Sequence, residues 1–215
     1  MTELSDWTPL EWSAPDVLEG RHTRLERLSV DLHADALHAA NPTGAAHWVY
    51  MPYGPFPEPD LYRLWAEGAA LSPDPVYYAV RGAAGWTGVA SFMRIDPANG
   101  VIEIGNIAFS PGLQRTSAST EAVHLMIGHA IAAGFRRVEW KCDAGNAPSR
   151  RAAERLGFTY EGTFRQHMVV KGRNRDTAWF AIVDGDWPAI RAAHLAWLDP
   201  ENFDAAGRQR APLRR

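Results

Sequence analysis

The chain has 215 residues and a formal net charge of −3, with 46% hydrophobic and 22% charged residues. This length and ordinary composition predict one folded domain and argue against a disordered chain. Residues 208–215 contain four arginines, and removing these positive charges leaves −7 on the rest of the chain, which is no basic footprint for nucleic acid.

Cysteine content and apolar runs restrict the remaining classes of protein. Cys142 is the single cysteine, so neither an intramolecular disulfide nor a thiolate metal cluster can form. The first 16 residues lack the basic start and apolar run of a signal peptide, and no segment approaches roughly 18 uninterrupted apolar residues. We therefore expect a cytoplasmic protein that binds no metal, membrane or nucleic acid.

Three regions follow from the composition along the chain. Residues 1–15 are polar and interrupted by prolines, which predicts an N-terminal arm packed on the surface. Residues 16–200 hold the periodic apolar patterns of a folded domain, and residues 201–215 form a basic C-terminal tail. The tail is expected to be a solvated end rather than a binding arm.

The N-terminal part of the domain begins with a strand and a helix. Alternating apolar and charged residues at Arg24–Leu28 predict the strand, and Ser29 or Asp31 then caps a helix that ends near Ala40. Residues 48–59 interleave aromatic residues with prolines, which predicts an irregular segment on a stiff backbone.

A helix and two strands come next in the chain. The helix begins at Asp60, and the strands are expected at Val76–Arg81 and Gly88–Arg94, separated by a turn that contains two glycines. Their short connection predicts an antiparallel meander that leads into the following strand.

The stretch from residue 101 to residue 134 organises the rest of the chain. Val101–Phe109 is a mostly apolar strand, and apolar residues then recur with helical spacing up to Gly134. The turn between them is rich in small and hydroxyl residues, contains Arg115, and offers Ser117 or Thr120 as a helix cap. Such a turn is either an anion-binding site at a helix N-terminus or an ordinary strand-to-helix connection.

The C-terminal part of the domain continues the alternation. Arg137–Cys142 predicts a fifth strand, which should be parallel to the strand before it because a helix intervenes. Residues 146–156 predict a second crossover helix, Phe158–Met168 and Arg175–Val183 a final hairpin, and Asp186 the start of a last helix.

Two sequence blocks resemble one known family. Gln114–Ala122 reads QRTSASTEA and resembles the pyrophosphate-binding loop of the GNAT superfamily of acyl-CoA-dependent N-acetyltransferases, with the pattern Gln/Arg-x-x-Gly-x-Gly/Ala. Ser117 stands where the family has glycine, and Ser119 where it has glycine or alanine. The second block, residues 146–162, resembles the Asn-x-x-Ser…Gly-Phe…Glu-Gly pattern of the RimJ/RimL-like branch, which acetylates ribosomal-protein N-termini.

The resemblance covers residues 20–198 and implies both a fold and a cofactor. The fold would be a mixed α/β sheet with an antiparallel N-terminal meander, parallel central strands and flanking helices. The cofactor would be acetyl-CoA, with CoA as product, and the acceptor site would be formed partly by the chain between the first two strands. Homodimers would also suit this family.

The resemblance also implies which residues bind acetyl-CoA. The strand backbone at Ile107, Ala108 and Phe109 would bind the pantetheine arm and the reacting carbonyl, since the family's last strand residue lies five positions before Gln114. The loop that would hold the pyrophosphate consists of Gln114, Arg115, Thr116, Ser117, Ala118 and Ser119. Asn146 would bind the pantetheine amide, and Arg150 would reach a CoA phosphate.

Glu103 is the expected general base. It interrupts an apolar strand between Ile102 and Ile104, and a carboxylate in that setting is either desolvated and suited to accept a proton, or an outward-facing residue paired with an arginine. His167 and Glu161, on the late hairpin, are the alternatives.

Ser149 is the expected general acid, because the RimJ/RimL-like pattern has at this position a serine proposed to protonate the departing thiolate. The alternative is a serine that merely begins a helix. Cys142 lies on a predicted strand without a recognisable His/Asp partner block, which disfavours an acyl-cysteine route.

The sequence therefore predicts an acetyl-CoA-dependent N-acetyltransferase that acts on a primary amine by direct transfer in a ternary complex. The acceptor would be a protein N-terminus or a small-molecule amine. Two alternatives stay open: transfer of a larger acyl group such as succinyl, and an acyl-CoA-binding regulatory module of the same fold without turnover.

Overall fold

The computed structural model describes residues 4–205 and 207–213, which form eight β-strands and six α-helices around one sheet. The strands are β1 Val17–Glu19, β2 Arg24–Arg27, β3 Val76–Gly82, β4 Gly85–Asp96, β5 Val101–Phe109, β6 Arg137–Asp143, β7 Thr159–Val170 and β8 Arg173–Val183. The helices are α1 Val30–Ala40, α2 Ala45–Trp48, α3 Pro59–Leu71, α4 Ser117–Ala132, α5 Ala147–Arg155 and α6 Trp187–Leu198.

The sheet is mixed, with the strand order β1-β2-β3-β4-β5-β6-β8-β7. Strands β1 to β5 form an antiparallel meander, and β5 and β6 form the one parallel pair of the described sheet, connected through α4. The predicted mixed α/β fold, its meander and its parallel crossover are therefore confirmed. The strand predicted at Arg24–Leu28 is β2, and the prediction missed β1, which pairs with β2 in a two-stranded hairpin.

Each face of the sheet carries its own apolar core. Ile102 and Ile104 of β5 point to the face that packs against α4, α5 and α6. The opposite face packs against α1 and α3, where Trp48, Phe56 and Tyr62 form a cluster of buried rings. Because side chains alternate along a strand, Glu103 lies on this second face.

The described parts of the N-terminal arm and the C-terminal tail pack on the domain. In the arm, Trp12 makes edge-on contacts with Phe92 and Phe135, at ring distances of 5.7 and 5.6 Å. In the tail, Phe203 packs on Trp197 at 5.2 Å. Within its described residues, the tail thus folds back on the end of α6.

None of the described helices combines the length and apolar character needed to cross a membrane.

Strand β7 lies at the outer edge of the sheet and is irregular. Its pairing with β8 shifts register twice, between Tyr160 and Gly162 and between Phe164 and Met168. Gln166, within the second irregularity, has a left-handed φ of 52°. The edge strand is therefore bent at two points.

A buried carboxylate joins α4 to the turn between β1 and β2. Glu121 is 7% exposed, and its oxygens accept hydrogen bonds from the backbone N–H groups of Arg21 (3.0 Å), His22 (2.5 Å) and Thr23 (2.9 Å). Gly20 leaves room for this side chain, because a Cβ there would lie 2.4 Å from its carboxyl carbon. The hairpin that the sequence did not predict is thus fixed by α4.

We predict that Glu121→Ala lowers the free energy of unfolding by about 2–4 kcal/mol, because three backbone donors lose a charged acceptor. The midpoint of thermal unfolding should fall by roughly 5–15 °C, and Glu121→Gln, which retains one acceptor oxygen, should lie in between. Glu67→Ala, at an exposed position of α3, serves as the control. A Glu121→Ala midpoint equal to that of the control would show that water satisfies these donors.

Candidate active site

The parallel pair β5–β6 separates after three residue pairs, the last of which is Glu103 with Glu139. Strand β5 continues to Phe109 and β6 to Asp143, so the two strands diverge beyond this pair. Asn106, with a left-handed φ of 51°, lies within a shift of register between β4 and β5. We call the gap between the diverging strands the fork. The backbone of residues 107–109 borders it.

The N-terminus of α4 follows directly after β5. Thr116 is its N-cap: Thr116 Oγ1 accepts from the Ser119 N–H at 3.2 Å, and Ser119 Oγ accepts from the Thr116 N–H at 3.1 Å. The prediction that Ser117 or Thr120 caps the helix is therefore wrong. The cap lies one position before Ser117 and four positions before Thr120. The hydroxyl of Ser119 completes a capping box, which gives a serine a structural role at this position.

The capping box decides which loop amides are available. The N–H groups of Thr116 and Ser119 are occupied, whereas those of Arg115, Ser117 and Ala118 have no hydrogen-bond partner within residues 4–205 and 207–213. Arg115 has a left-handed φ of 60°, which turns the chain into the helix. Three free amides at a helix N-terminus can bind an anion. Ser117 has the ordinary helical backbone of the first turn, so this position does not require the left-handed conformation that favours glycine.

The side chain of Gln114 stabilises this loop. Its Nε2 donates to the carbonyl oxygen of Phe109 at 2.8 Å, which links the loop to the end of β5. The amide therefore contacts the protein's own backbone beside the anion site.

The second block places Ser149 beside the fork. Asn146 is the N-cap of α5, and its Oδ1 accepts from the Ser149 N–H at 3.1 Å. Ser149 Oγ accepts a hydrogen bond from Trp140 Nε1 at 3.0 Å, which holds the start of α5 against β6. Arg150 donates to the carbonyl of Ala144 at 3.4 Å.

Glu103 is buried but does not lie alone in an apolar environment. Its side chain is 3% exposed, and Oε2 contacts Arg94 Nη1 at 2.6 Å and Lys141 Nζ at 3.1 Å. Neither expectation for Glu103 is complete, because the carboxylate is both buried and paired with cations. Its position at the last β5–β6 pair places it at the base of the fork.

The contacts of Glu103 continue into a network of charges along β6. Lys141 Nζ also contacts Glu139 at 2.6 Å and lies 3.8 Å from the ring centre of Trp179. Arg137 contacts Glu139 and binds Glu161 through two nitrogens, and this pairing lowers the pKa of Glu161. Arg137 begins β6 at the end of the strand away from the fork, so Glu161 is poorly placed to act as a base there.

The remaining candidates differ in their access to the fork. His167 Nδ1 lies 2.9 Å from Thr177 Oγ1, and Thr177 pairs with Asp143, the last residue of β6. His167 therefore lies at the end of the sheet where the fork opens, and it is a second candidate base. Burial raises the pKa of the Cys142 thiol, which disfavours the thiolate that a nucleophile would need.

A segment rich in aromatic residues spans the second face of the sheet near the fork. We call residues 48–56 the aromatic segment. Tyr53 Oη donates to the carbonyl of Asn106 in β5 at 3.4 Å, and Tyr50 Oη donates to that of Gly145, before α5, at 3.1 Å. From the β7–β8 turn, Lys171 Nζ donates to the carbonyls of Trp48, Tyr53 and Gly54 at 2.9–3.0 Å.

These contacts identify residues that sequence patterns did not single out. Trp140, Lys141 and Lys171 contact partners that are 9 to 123 positions away along the chain. One signal was available for Lys141, because charged residues alternate with apolar ones along Arg137–Cys142. No local pattern marks Lys171.

We predict that Lys171→Met loosens the aromatic segment, because the three carbonyls lose a charged donor. A loss of one or two kcal/mol would raise the population of the open segment roughly 5–30-fold. Limited proteolysis with chymotrypsin, which cleaves after aromatic residues, should then cut the segment faster by a similar factor. Arg173→Met, at an exposed position of the same hairpin, is the matched control, and an equal rate for both variants would contradict the tether.

Comparisons with known proteins show which family this chain resembles. Residues 22–159 match the family model of the acetyltransferase (GNAT) domain. A GCN5-related N-acetyltransferase from Brucella melitensis is 46% identical, with a TM-score of 0.94 over 98% of this chain and 97% of that one. A probable GNAT-family acetyltransferase from Chromobacterium violaceum is 38% identical, with a TM-score of 0.79 over 87% of this chain and 96% of that one.

A more distant likeness concerns the fold alone. The ribosomal L7/L12 α-N-protein acetyltransferase RimL is 22% identical, with a TM-score of 0.68 over 78% of this chain and 93% of that one. No curated protein sequence matches the chain. The family model covers more than half of the chain. The chain belongs to the GNAT family of acetyltransferases, enzymes that transfer an acyl group from acyl-CoA to an amine.

Proposed function

We propose that this protein transfers an acetyl group from acetyl-CoA to a primary amine, by direct attack within a ternary complex. The acceptor is a protein N-terminus or a small-molecule amine. The observation that carries the proposal is the fork between β5 and β6, which ends at three free amides of the α4 N-terminus.

Each part of an acyl-CoA would have a partner along the fork. The backbone of Ile107, Ala108 and Phe109 borders the fork and would bind the pantetheine arm and the thioester carbonyl. The amides of Arg115, Ser117 and Ala118 would bind the pyrophosphate, because a helix N-terminus stabilises negative charge. Arg115 and Arg150 would add positive charge. Asn146 Nδ2 donates no hydrogen bond within residues 4–205 and 207–213 and would be available to the pantetheine arm.

The protein must assist the reaction in three ways. The amine nitrogen attacks the thioester carbon, a C–N bond forms, and the C–S bond breaks with its electron pair going to sulfur. The amine must lose a proton, the carbonyl oxygen must be stabilised while it carries charge, and the sulfur must receive a proton. Backbone N–H groups bordering the fork would stabilise the oxygen, and Ser149 Oγ would protonate the sulfur.

Glu103 would accept the amine proton through water. It lies on the face of the sheet that carries the aromatic segment, and Arg94 and Lys141 fix the position of its carboxylate. His167, at the other side of the fork, is the alternative base. The acceptor would approach from this face, past the aromatic segment.

We predict that acetyl-CoA at 100 times its dissociation constant stabilises the protein by about 2.7 kcal/mol, a rise of roughly 5–10 °C in unfolding temperature. Ser117→Asp separates binding from folding. An acid in the first turn favours the helix, so the unliganded midpoint should not fall, while repulsion of the pyrophosphate should weaken binding about tenfold or more. Thermal-shift titration measures both effects.

Three controls sharpen this titration. ATP and NADPH test whether the site binds any anionic nucleotide, and Thr43→Asp adds the same charge at an exposed position far along the chain from the loop. If Ser117→Asp binds acetyl-CoA as tightly as Thr43→Asp does, the α4 N-terminus does not hold the pyrophosphate. A protein that acetyl-CoA fails to stabilise would lack the proposed cofactor.

We predict that Ser149→Ala and Glu103→Gln each lower kcat by about 10²-fold, the usual contribution of a general acid or base, with acetyl-CoA affinity retained. Release of free CoA in the presence of a panel of amines, including a peptide with a free N-terminus, is the assay. His167→Ala is run beside Glu103→Gln, and the larger loss identifies the base. Faster CoA release from succinyl-CoA would indicate the larger acyl group, and no release with any amine would indicate a binding module.

A further inference from the structure

The indole of Trp140 and the hydroxyl of Ser149 form a hydrogen bond between β6 and α5, with an Nε1–Oγ distance of 3.0 Å. Trp140 is 6% exposed and packs against Phe158, at a ring distance of 5.5 Å. Asn146 fixes the Ser149 backbone through the helix cap. The serine is thus held by its own N–H and by its side-chain oxygen.

The chemistry of the two groups determines the direction of this bond. An indole N–H can only donate, whereas a hydroxyl has one hydrogen to donate and two lone pairs that accept. Trp140 therefore occupies a lone pair of Ser149 Oγ and leaves the hydroxyl hydrogen free for another acceptor. A hydroxyl that accepts a hydrogen bond is also polarised, which makes it a better donor.

Without this contact, the hydroxyl would have a local alternative. A serine in the first turns of a helix can donate to the carbonyl three or four positions earlier, which here belongs to Asn146 or Gly145. The carbonyl of Gly145 already accepts a hydrogen bond from Tyr50. The indole thus holds the Ser149 oxygen towards β6 rather than along the helix.

A buried thiol lies in the same part of the core as Trp140. Cys142 lies two residues after Trp140 on the same side of β6, and both side chains belong to the core beneath α5. Burial raises the pKa of its thiol, which keeps the sulfur protonated and uncharged.

We propose that Trp140 is a positioning residue that orients the Ser149 hydroxyl to give its proton to the sulfur that leaves during acyl transfer. This inference rests on the proposed role of Ser149 as the acid. As the C–S bond breaks, the electron pair goes to sulfur, the Ser149 O–H bond supplies the proton, and water returns a proton to Ser149. Trp140 donates its hydrogen bond throughout and exchanges no proton.

A double-mutant cycle with Trp140→Phe and Ser149→Ala tests the inference, since phenylalanine retains an aromatic ring and loses the N–H. We expect Trp140→Phe to lower kcat about 5–20-fold, with the KM for acetyl-CoA changed less than about twofold. In the Ser149→Ala background, the same substitution should lower kcat less than about twofold, because there is no hydroxyl left to orient.

The matched control is Trp187→Phe, a tryptophan of α6 that is also 6% exposed and whose ring contacts His124 and His194. It should leave kcat within about twofold in both backgrounds. If Trp140→Phe lowers kcat by the same factor with and without Ser149, its effect is one of packing and the inference is wrong. Should Ser149→Ala alone leave kcat unchanged, the acid role in the proposed function fails instead.

A second variant covers the case in which Trp140→Phe does not fold. Replacing Trp140 by a benzothienyl analogue keeps the shape of the indole and exchanges the N–H for a sulfur atom. The analogue should unfold within a few degrees of the wild type and still show the loss in kcat. Full activity of the folded analogue would overturn the inference.

Discussion

The rest of the structure depends on one constraint, which is that the backbone hydrogen bonds between β5 and β6 stop partway along the two strands. Strands β5 and β6 pair over three residues and then separate, although both continue. Peptide groups in a buried position need partners, so the fork favours a ligand that carries amides and carbonyls of its own. The bulge at Asn106, its contact with Tyr53 and the cap of α4 hold the strands and the loop in this arrangement.

Charge on the second face of the sheet is organised from the same point. Glu103 ends the β5–β6 pairing and begins a series of alternating charges that runs through Lys141 and Glu139 to Arg137. Buried ions are costly unless each has a partner, and here each has one. The network therefore fixes the carboxylate of Glu103, which lies nearest to the fork. At the other end of the network, Arg137 binds Glu161 of the edge strand β7.

Local patterns predicted much of the fold and less of the site. Strand Val101–Phe109 has the predicted bounds, because a mostly apolar run is followed by a proline and a glycine. Strand β1 was missed because three residues are too few to show an alternation. Thr116 was missed as the cap because its partner is another hydroxyl residue, Ser119. The cations around Glu103 and the indole above Ser149 come from other strands, and no spacing within one element reveals them.

The two bends in β7 affect whether a strand of another protein chain can add to this edge of the sheet. An edge strand exposes a row of unpaired N–H and C=O groups, and a long straight edge can add a strand from another chain. The register shifts near Gly162 and Gln166 divide β7 into short stretches, none of which offers such a template. The sheet can therefore end in solvent at a hairpin whose two strands have twelve and eleven residues, without recruiting further strands, and self-assembly through this edge is disfavoured by backbone geometry alone.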